Sequence, residues 1–325
     1  MRYIKELVSI IMPSYNAGKS ISRAIESIIA QTYGNWELII VDDGSEDETK
    51  KVVEAFKDSR ISYVFQKNSG PANARNKGID LARGQYICFI DSDDVVHKDY
   101  LMHLIDEIKL DDADVAMCNY VKMPNLNKVN VDIKNASIYK KKILSGDECA
   151  EKMFYKKDIM PYPFLKLFDR TKIEDIRFPE NLFLGEDLVF NYNVFKKVNR
   201  AVYIDKVLYY HIENEDSITH CLNEKKAIDH FESLKSIYIS AEEKFKIAIM
   251  TRMFIVAYDF LSQSNVKDSF TKELIHFVKK NCKQITKNKE CSLKTRLLGG
   301  LTKISVPFCI SICRIIKRIN LKKAI

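Results

Sequence analysis

Over its first 120 residues the sequence alternates between short apolar runs and segments in which apolar residues recur at helical spacing. One such segment carries Ile21, Ile25 and Ile28, which would share one face of a helix. The apolar runs have the length and composition of buried strands, and they are Leu7–Met12, Trp36–Val41, Ile61–Phe65 and Tyr86–Ile90. Strand–helix–strand repeats of this kind predict an α/β fold, in which a mainly parallel sheet carries helices on both faces.

Three polar loops each follow one of these predicted strands. They are Ser14–Gly18, Asp42–Ser45 and Asp91–Asp94. Open parallel sheets bind their ligands at the carboxyl ends of the strands. We therefore expect the three loops to converge on one edge of the sheet and to form a single site.

The run Asp91-Ser92-Asp93-Asp94 places carboxylates directly after an apolar strand. Because alternate residues of a strand share a face, Asp91 and Asp93 can point the same way. Mg²⁺ and Mn²⁺ favour a few carboxylates together with oxygens of a bound substrate. The run indicates a cation site that also holds phosphates, and the alternative is a solvated acidic turn before the next helix.

The loops after the first two strands carry groups that suit a nucleoside. A carboxylate of Asp42 or Asp43 could accept hydrogen bonds from a base N–H or a ribose hydroxyl, while Gly44 permits the turn. Tyr15 could pack on a nucleobase beside the polar Asn16. The alternative is that both acids cap the following helix and that Tyr15 packs within the protein.

Together, in this order and at this spacing, the three loops are much more specific than any one of them. The sequence resembles the family 2 glycosyltransferases densely over residues 7–120, through the runs VSIIMPSYNAGKSISRAIESIIAQTYGNWELIIVDDGSEDET and NSGPANARNKGIDLARGQYICFIDSDD. This resemblance implies the GT-A fold, which is Rossmann-like, and a nucleotide-sugar donor, with UDP favoured. It also implies an inverting single displacement assisted by Mg²⁺ or Mn²⁺.

The resemblance also implies roles for individual residues. On the family's pattern Pro13 and Tyr15 line the base pocket, and Asp43 contacts the base. Asp93 holds the metal ion and the diphosphate, with Asp91 close to the donor sugar. The other residues predicted to bind the donor are Asn16, Asp42, Arg75, Asn76 and Ser92, and Arg75 with Asn76 matches a short helix that faces the donor.

A weaker match continues through KLFDRTKIEDIRFPENLFLGED and resembles the second half of bacterial capsule and lipopolysaccharide transferases. In those enzymes an acid pair of the Glu-Asp type faces the acceptor. An acceptor hydroxyl must lose its proton as it attacks, and a carboxylate can take that proton. We predict Asp187 as the base, with Glu186 as the alternative. Both acids could instead act as partners of a helix dipole.

His211 follows an aromatic run and could bind a metal ion or a phosphate, or could serve a structural role. Related chains usually have a basic residue shortly before Ser-Ile-Thr, which here is Ser217–Thr219. Glu213 and Asn214 stand at that point instead. This difference puts a diphosphate contact there in doubt.

The net charge of the chain, +8, is concentrated in residues 292–325, which carry eight basic residues and no acid. The remainder is neutral, which argues against a nucleic-acid-binding domain. The apolar stretch Ile304–Cys313 is too short to span a bilayer. We predict a basic amphipathic helix that lies on an anionic membrane surface, with packing on the body as the alternative. The acceptor is expected to be a glycan or lipid-linked.

Four regions are predicted: a nucleotide-sugar-binding half at residues 1–120, an acceptor-side half at 121–222, a helical extension at 223–291 and a basic tail at 292–325. The eight Cys show no zinc spacing, and the N-terminus lacks the apolar region of a signal peptide. Both features favour a cytoplasmic protein, and the basic tail suggests a peripheral position on the inner face of the membrane.

Two other functions remain open. A nucleotidyltransferase on a similar sheet would also use acids at strand ends. Such enzymes tend to have a Gly-rich basic loop after the first strand, and here that loop has a single Gly, Gly18. A catalytically inactive subunit that binds nucleotide sugars would not need the four acids Asp43, Asp91, Asp93 and Asp187.

Overall fold

A computed structural model of the chain describes residues 3–123, 139–182, 184–213, 224–263 and 268–323. The chain divides into two compact units. The first comprises residues 1–149, 158–181 and 186–220, and the second comprises residues 150–157, 182–185 and 221–325. The functional boundaries at residues 120, 222 and 291 remain predictions. Asn214 and Ser217–Thr219 lie outside the described residues.

The described part of the first unit contains nine strands that form one mixed sheet. The strands are β1 (Ile4–Ser14), β2 (Trp36–Asp42), β3 (Ile61–Phe65), β4 (Gly84–Phe89), β5 (Val95–Val96), β6 (Val115–Met123), β7 (Lys141–Leu144), β8 (Lys166–Asp169) and β9 (Ala201–Ile212). Their spatial order is β3-β2-β1-β4-β8-β6-β9-β5, and β7 also pairs with β9.

The first four strands have the parallel pairing that the sequence predicts. β1 pairs in parallel with both β2 and β4, and β2 pairs in parallel with β3. Beyond β4 the sheet is mixed, because β8 lies antiparallel between β4 and β6. The carboxyl ends of β1, β2 and β4 therefore lie at the same edge, where the three polar loops begin. The predicted α/β fold class is confirmed.

The helices of the first unit are α1 (Ile21–Ile29), α2 (Thr49–Glu54), α3 (Pro71–Leu81), α4 (Tyr100–Asp111) and α6 (Glu186–Phe195). Helix α5 (Gly146–Tyr155) begins in the first unit and ends in the second. The apolar spacing of α1 corresponds to one buried face, formed by Ile21, Ala24, Ile25 and Ile28. Each large apolar side chain buried in this way contributes roughly 1.5–3 kcal/mol to folding.

The second unit is helical in its described part. Its helices are α7 (Glu224–Ser240), α8 (Glu243–Leu261), α9 (Ser269–Lys287), α10 (Leu293–Thr302) and α11 (Val306–Lys323). The predicted basic tail thus forms two helices, α10 and α11. Large apolar side chains of these helices and of the turn between them are exposed, namely Leu293, Leu297, Ile304, Phe308 and Ile315. Within the described ranges, no helix combines the length and the apolar character that crossing a membrane requires.

Candidate active site

Hydrogen bonds join the loop after β1 to the loop after β2. The Asp43 N–H donates to the Ser14 carbonyl at 2.8 Å. Asn16 accepts from the Glu46 N–H through Oδ1 at 2.9 Å and donates its own N–H to Ser45 Oγ at 2.8 Å. Asn16 has a φ of 47°, a left-handed conformation that Asn tolerates better than most residues. Asn16 therefore holds the two loops together.

Tyr15 and Pro13 flank this junction in different environments. Tyr15 is 51% exposed, whereas Pro13, near the end of β1, is half-buried. An aromatic ring that stays this exposed on a loop fixed by Asn16 offers a flat apolar surface at the edge of the sheet. The geometry is compatible with the base-binding role predicted for both residues, and that role remains a prediction.

Asp42 and Asp43 are both buried, and their oxygens are occupied. Asp42 accepts from the Ser45 N–H at 2.8 Å and from the Tyr63 hydroxyl at 2.5 Å. Asp43 accepts from the side chain of Gln66 and from the N–H groups of Ser69 and Gly70, at 2.8, 2.8 and 2.7 Å. Gly70 directly precedes helix α3, so Asp43 also lies at the positive end of that helix.

Helix α3 begins at Pro71, whose fixed φ suits the first turn of a helix. The helix packs closely on β1 at Gly78, where a Cβ would lie 2.3 Å from Ile11 Cγ2. This close approach fixes the position of Arg75, one turn earlier. Asn76 uses its side-chain amide on the backbone of Phe178, donating at 2.9 Å and accepting at 2.8 Å, so the structure pairs it with that segment.

Arg75 is the centre of a cluster of three carboxylates. Its guanidinium lies 3.2 Å from Asp91 Oδ1, 3.1 Å from Asp187 Oδ1 and 3.4 Å from Glu186 Oε1. The Arg75 side chain is only 8% exposed. One cation, Arg75 of helix α3, therefore contacts both the acid after β4 and the acid pair of α6.

The cluster contains three carboxylates and one guanidinium, and the pKa values of Asp187 and Glu186 reflect this excess of acid. Burial raises the pKa of Asp187 to about 8, an effect that Arg75 offsets only in part. Burial also raises the pKa of Glu186. At Arg75 burial acts to lower the pKa, but Asp187, Asp91 and Glu186 together outweigh it and raise the pKa. The cluster favours a proton on Asp187 at neutral pH, or a second cation nearby.

The acid pair opens helix α6 and follows a constrained glycine. Gly185 has a φ of +99°, and a Cβ there would lie 2.3 Å from Ser233 Oγ within the second unit. A larger residue would be strained at this position. Asn191, one turn into α6, is fully buried and donates to the Asp187 carbonyl at 2.8 Å.

The last acid of the run after β4 differs from its neighbours in burial. Asp94 is fully buried, whereas Asp91, Ser92 and Asp93 are partly exposed. Asp94 accepts from the Tyr209 hydroxyl at 2.7 Å and from the Ile212 N–H at 2.9 Å. Sequence reasoning treated Asp94 only as the end of an acidic run. Its burial depends on β9, which lies more than a hundred residues away.

His211 is held by Asp94. Its Nδ1 lies 3.1 Å from Asp94 Oδ1, and its ring stacks on Phe164 at 6.1 Å with an interplanar angle of 8°. The hydrogen bond to Asp94 is the main cause that raises the pKa of His211, and Asp93 and Asp91 add to it through their charges. A carboxylate that orients a histidine in this way is common behind metal ligands.

The described residues do not bring three His, Cys, Asp or Glu side chains together as a metal cluster. A donor set limited to Asp93 and His211 would need oxygens from a bound diphosphate to complete it. Mg²⁺ and Mn²⁺ are often held in that way, with few protein ligands. The residue types fit such a cation, and the metal roles of Asp93 and His211 remain predictions.

Lys166 is a feature that sequence reasoning missed. It is fully buried on β8 and donates to the carbonyls of Met160 and Tyr162, at 2.8 and 2.6 Å. Burial lowers the pKa of Lys166 to about 7, although the charge of Asp187 acts in the opposite direction. A lysine between apolar residues gives no sequence signal for such burial, because the groups that enclose its ammonium, such as the ring of Phe195, come from other parts of the chain.

Comparison with known proteins identifies the architecture. The family model described as Glycosyl transferase family 2 matches residues 9–177. The uncharacterized glycosyltransferase EpsJ of Bacillus subtilis is 32% identical over 219 residues, which cover 66% of this chain and 63% of EpsJ. A UDP-Glc:alpha-D-GlcNAc-diphosphoundecaprenol beta-1,3-glucosyltransferase of Escherichia coli, WfgD, is 51% identical over 90 residues, 27% of this chain and 36% of WfgD.

A solved structure extends the similarity across the whole chain. S. aureus TarS 1–349 in complex with UDP-GlcNAc has a TM-score of 0.71 at 21% identity, and the match covers 96% of this chain and 92% of that one. This similarity concerns the fold. The chain spans less than two thirds of the length of either EpsJ or WfgD.

Proposed function

The chain belongs to glycosyl transferase family 2, and on this premise we propose that it transfers a sugar from a UDP-sugar to a hydroxyl of a glycan or lipid-linked acceptor. The observation that carries the proposal is the Arg75 cluster, in which the acid after β4 and the acid pair of α6 share one cation. Such a cluster provides a candidate base directly beside the acids predicted to hold the donor. The choice of nucleotide is supported by two similar proteins, since WfgD is a UDP-Glc transferase and TarS forms a complex with UDP-GlcNAc.

On the donor side, the base would stack on Tyr15 beside Pro13, and Asp43 would contact it. Asn16 and Asp42 support the loops that form this pocket, since their side chains join or close those loops. Ser92 and Asp91 would lie at the sugar and diphosphate. We assign Asn76 to the support of Arg75, because its amide is already paired with Phe178.

A divalent cation, Mg²⁺ or Mn²⁺, would be held by Asp93 and His211 and would neutralise charge on the departing diphosphate. Asp94 keeps the His211 ring oriented for that task. Arg75, whose helix matches the one that faces the donor in this family, would add its positive charge beside Asp91. These assignments rest on residue chemistry and on the family resemblance.

Asp187 would accept the proton of the attacking hydroxyl, with Glu186 as the alternative base. A single displacement by that hydroxyl would invert the anomeric carbon. Since the pKa of Asp187 is raised to about 8, the ionised base becomes more abundant as pH rises toward 8. We therefore expect kcat/KM to increase with pH below about 8 and to level off above it.

The test is a thermal unfolding experiment followed by an activity assay. UDP with Mn²⁺ should raise the melting temperature, and Asp93→Ala should abolish the increase. No shift with any nucleoside diphosphate plus metal would reject the proposal. Release of UDP from UDP-glucose or UDP-N-acetylglucosamine on addition of an acceptor distinguishes an enzyme from an inactive binding subunit. Release of inorganic diphosphate from UTP and a sugar phosphate would instead indicate a nucleotidyltransferase.

We further propose that helices α10 and α11 contact an anionic membrane surface, which would make the protein peripheral on the cytoplasmic face. The support is the combination of exposed apolar side chains with cations such as Lys303 and Arg296 and no acid in this segment. A surface of this kind combines insertion of apolar groups with attraction to anionic lipids. Ile304 and Phe308 are the most suitable apolar contacts.

Flotation with vesicles of phosphatidylcholine and phosphatidylglycerol tests the membrane proposal. The double variant Ile304→Ser, Phe308→Ser should lose most of the bound fraction. Ile239→Ser is the matched control, because Ile239 is an isoleucine on α7 whose exposure is similar to that of Ile304. Equal binding by wild type and double variant, or equal loss in the control, would contradict a role for the tail.

A further inference from the structure

Lys166 is a cation in the interior of the first unit, and its charge interacts with that of the candidate base. Its side chain is fully buried, and the centre of the Phe195 ring, on helix α6, lies 5.8 Å from its Nζ. Burial lowers the pKa of Lys166, and the charge of Asp187 acts against this effect. Because water does not solvate an ammonium in such a place, a charge retained there needs partners within the protein.

The ammonium of Lys166 and the side-chain amide of Asn191 together bind three consecutive carbonyls, those of residues 160–162. Lys166 donates to the first and the third, and Asn191 donates to the middle one, of Pro161, at 2.9 Å. Asn191 is also fully buried, and its amide donates to the carbonyl of Asp187 at 2.8 Å as well. Lys166 is thereby connected to the first turn of helix α6, which carries the candidate base.

The pKa of Asp187, which burial raises, also depends on charged groups from several elements. In order of effect they are Arg75, Glu186, Asp91 and Lys166. Arg75 is shared by three carboxylates, so Lys166 supplies a second positive charge to a cluster that has an excess of acid. The buried thiols of Cys149 and Cys118 act on Lys166 in the same direction as Asp187, which is the larger influence.

We propose that Lys166 is a positioning residue for the base: its ammonium fixes the first turn of helix α6 through the 160–162 segment and Asn191, and its positive charge allows Asp187 to ionise. This inference rests on the proposed function and adds a residue to it. A carboxylate and an ammonium both lose solvation on burial, and the charge of each offsets that loss for the other. Lys166 thus favours the ionised Asp187 that would accept the proton of the attacking hydroxyl.

Lys166→Gln and Lys166→Met separate the charge of Lys166 from its hydrogen bonds. Both variants remove the charge, whereas only glutamine keeps an NH₂ group that can donate to the carbonyls. In both, the rise of kcat/KM with pH, measured by release of UDP, should move to higher pH by about one unit, because Asp187 loses a cation. Lys166→Met should also lower kcat at high pH by about tenfold or more, and Lys166→Gln should recover part of that loss.

Lys141→Met is the matched control, because Lys141 pairs with Glu107 and Asp111 of helix α4 and not with the Arg75 cluster. Its pH profile should coincide with that of the wild type. A pH profile that stays unchanged in both Lys166 variants, or one that moves equally in Lys141→Met, would overturn the proposal.

A titration that needs neither a Lys166 variant nor activity measures the same interaction from the other side. By reciprocity, removing the charge of Asp187 lowers the pKa of Lys166 as much as removing the charge of Lys166 raises the pKa of Asp187. In protein labelled with ¹³C at lysine Cε, the pKa of about 7 that belongs to Lys166 in the wild type should fall by about one unit in Asp187→Asn. If no lysine pKa changes, the charge interaction does not exist and the proposal is overturned, even where neither Lys166 variant folds.

The melting-temperature increase with UDP and Mn²⁺ separates this inference from the proposed function. If the wild type lacks the increase, the proposed function fails, and the role of Lys166 in transfer fails with it, whatever the lysine titration shows. If the increase is present while the pH profile and the lysine titration stay unchanged in the variants, the role of Lys166 alone is rejected.

Discussion

The acids after β2 and the acids around Arg75 lie at the same edge of one sheet, but they are held in opposite ways. Asp42 and Asp43 have their oxygens occupied by backbone N–H groups, a hydroxyl and a side-chain amide. Asp187 and Glu186, together with Asp91, compete for one guanidinium. The first arrangement is locally satisfied and fixes the shape of the loops.

The second arrangement carries more negative charge than its cation can balance. A buried carboxylate without a full partner is expensive, and it responds by holding a proton or by attracting another cation. This difference indicates which acids shape the pocket and which acids can take part in proton transfer. Substitutions in the two groups of acids should therefore affect transfer and stability differently.

The largest effect is expected for Asp187→Asn, which keeps the shape of the side chain but removes the base. Transfer should fall about 10²- to 10⁴-fold, while the melting-temperature shift with UDP and Mn²⁺ should persist. Activity within about threefold of wild type would assign the base to Glu186 instead, and Glu186→Gln then serves as the reciprocal variant.

Asp187→Asn should also change the pH dependence of stability. The folded protein, with the pKa of Asp187 at about 8, retains a proton that the unfolded chain has released above a pKa of about 3.9. The stabilising contribution of Asp187 is therefore complete below pH 4 and is lost as pH rises to about 8. The difference in free energy of unfolding, variant minus wild type, should increase over that interval in urea unfolding experiments.

Arg75→Met should destabilise the protein by about 3–5 kcal/mol, because it leaves three carboxylates without their shared cation. Urea unfolding at pH 7 measures the loss, and Arg75→Lys should recover part of it. The loss should shrink toward pH 4, because burial raises the pKa of Asp187 and of Glu186 and both carboxylates take up protons as the pH falls. A loss of less than about 1 kcal/mol at pH 7 would mean that the cluster is solvated like an ordinary surface.

Asp43→Asn replaces one of the two acceptor oxygens with an NH₂ group, so the side chain can no longer accept from both the Ser69 N–H, which bonds to Oδ1, and the Gly70 N–H, which bonds to Oδ2. We expect a destabilisation of about 1–3 kcal/mol and weaker binding of UDP, because the loop before α3 loses its anchor. Calorimetric titration with UDP and Mn²⁺ measures the binding. Unchanged stability together with lost UDP binding would show that Asp43 serves the ligand and not the loop.

Tyr63→Phe should have the smallest effect. It removes the hydroxyl that donates to Asp42 and should cost about 1 kcal/mol of stability, with transfer unchanged. Thermal unfolding and the transfer assay together measure both quantities. A loss of transfer greater than tenfold would show that Asp42 acts in the chemistry and belongs with the acids around Arg75.

Much of the donor side was predictable from the sequence, because its signals are local. The strands and helices around Asp43 and Asp91 follow from apolar periodicity, and the family resemblance identified the loops that follow them. Sequence reasoning also singled out Arg75 and the pair Glu186 and Asp187. It did not predict that they form one cluster, since a resemblance assigns positions and not distances.

Asp94 and Lys166 were missed for a related reason. Asp94 is one of four polar residues in a row, and only the pairing of the next strand, β5, with β9 distinguishes it, because Tyr209 and Ile212 of β9 then donate to it. Lys166 lies in a short strand between β4 and β6, and its ammonium is enclosed by the carbonyls of Met160 and Tyr162 and by the ring of Phe195. Burial of a polar side chain is a property of its surroundings, and one sequence alone does not state those surroundings.

Periodicity, turn residues and charge act over a few neighbouring positions, so the amino-acid sequence alone predicts the α/β fold, the order of the polar loops and the location of the basic tail. Which acids share a cation follows only from the folded chain. Arg75 meets Asp91 from 16 positions away and Asp187 from 112. Only the folded sheet and the close packing of α3 bring these groups within 3.2 Å, and at that distance their charges alter one another's pKa values.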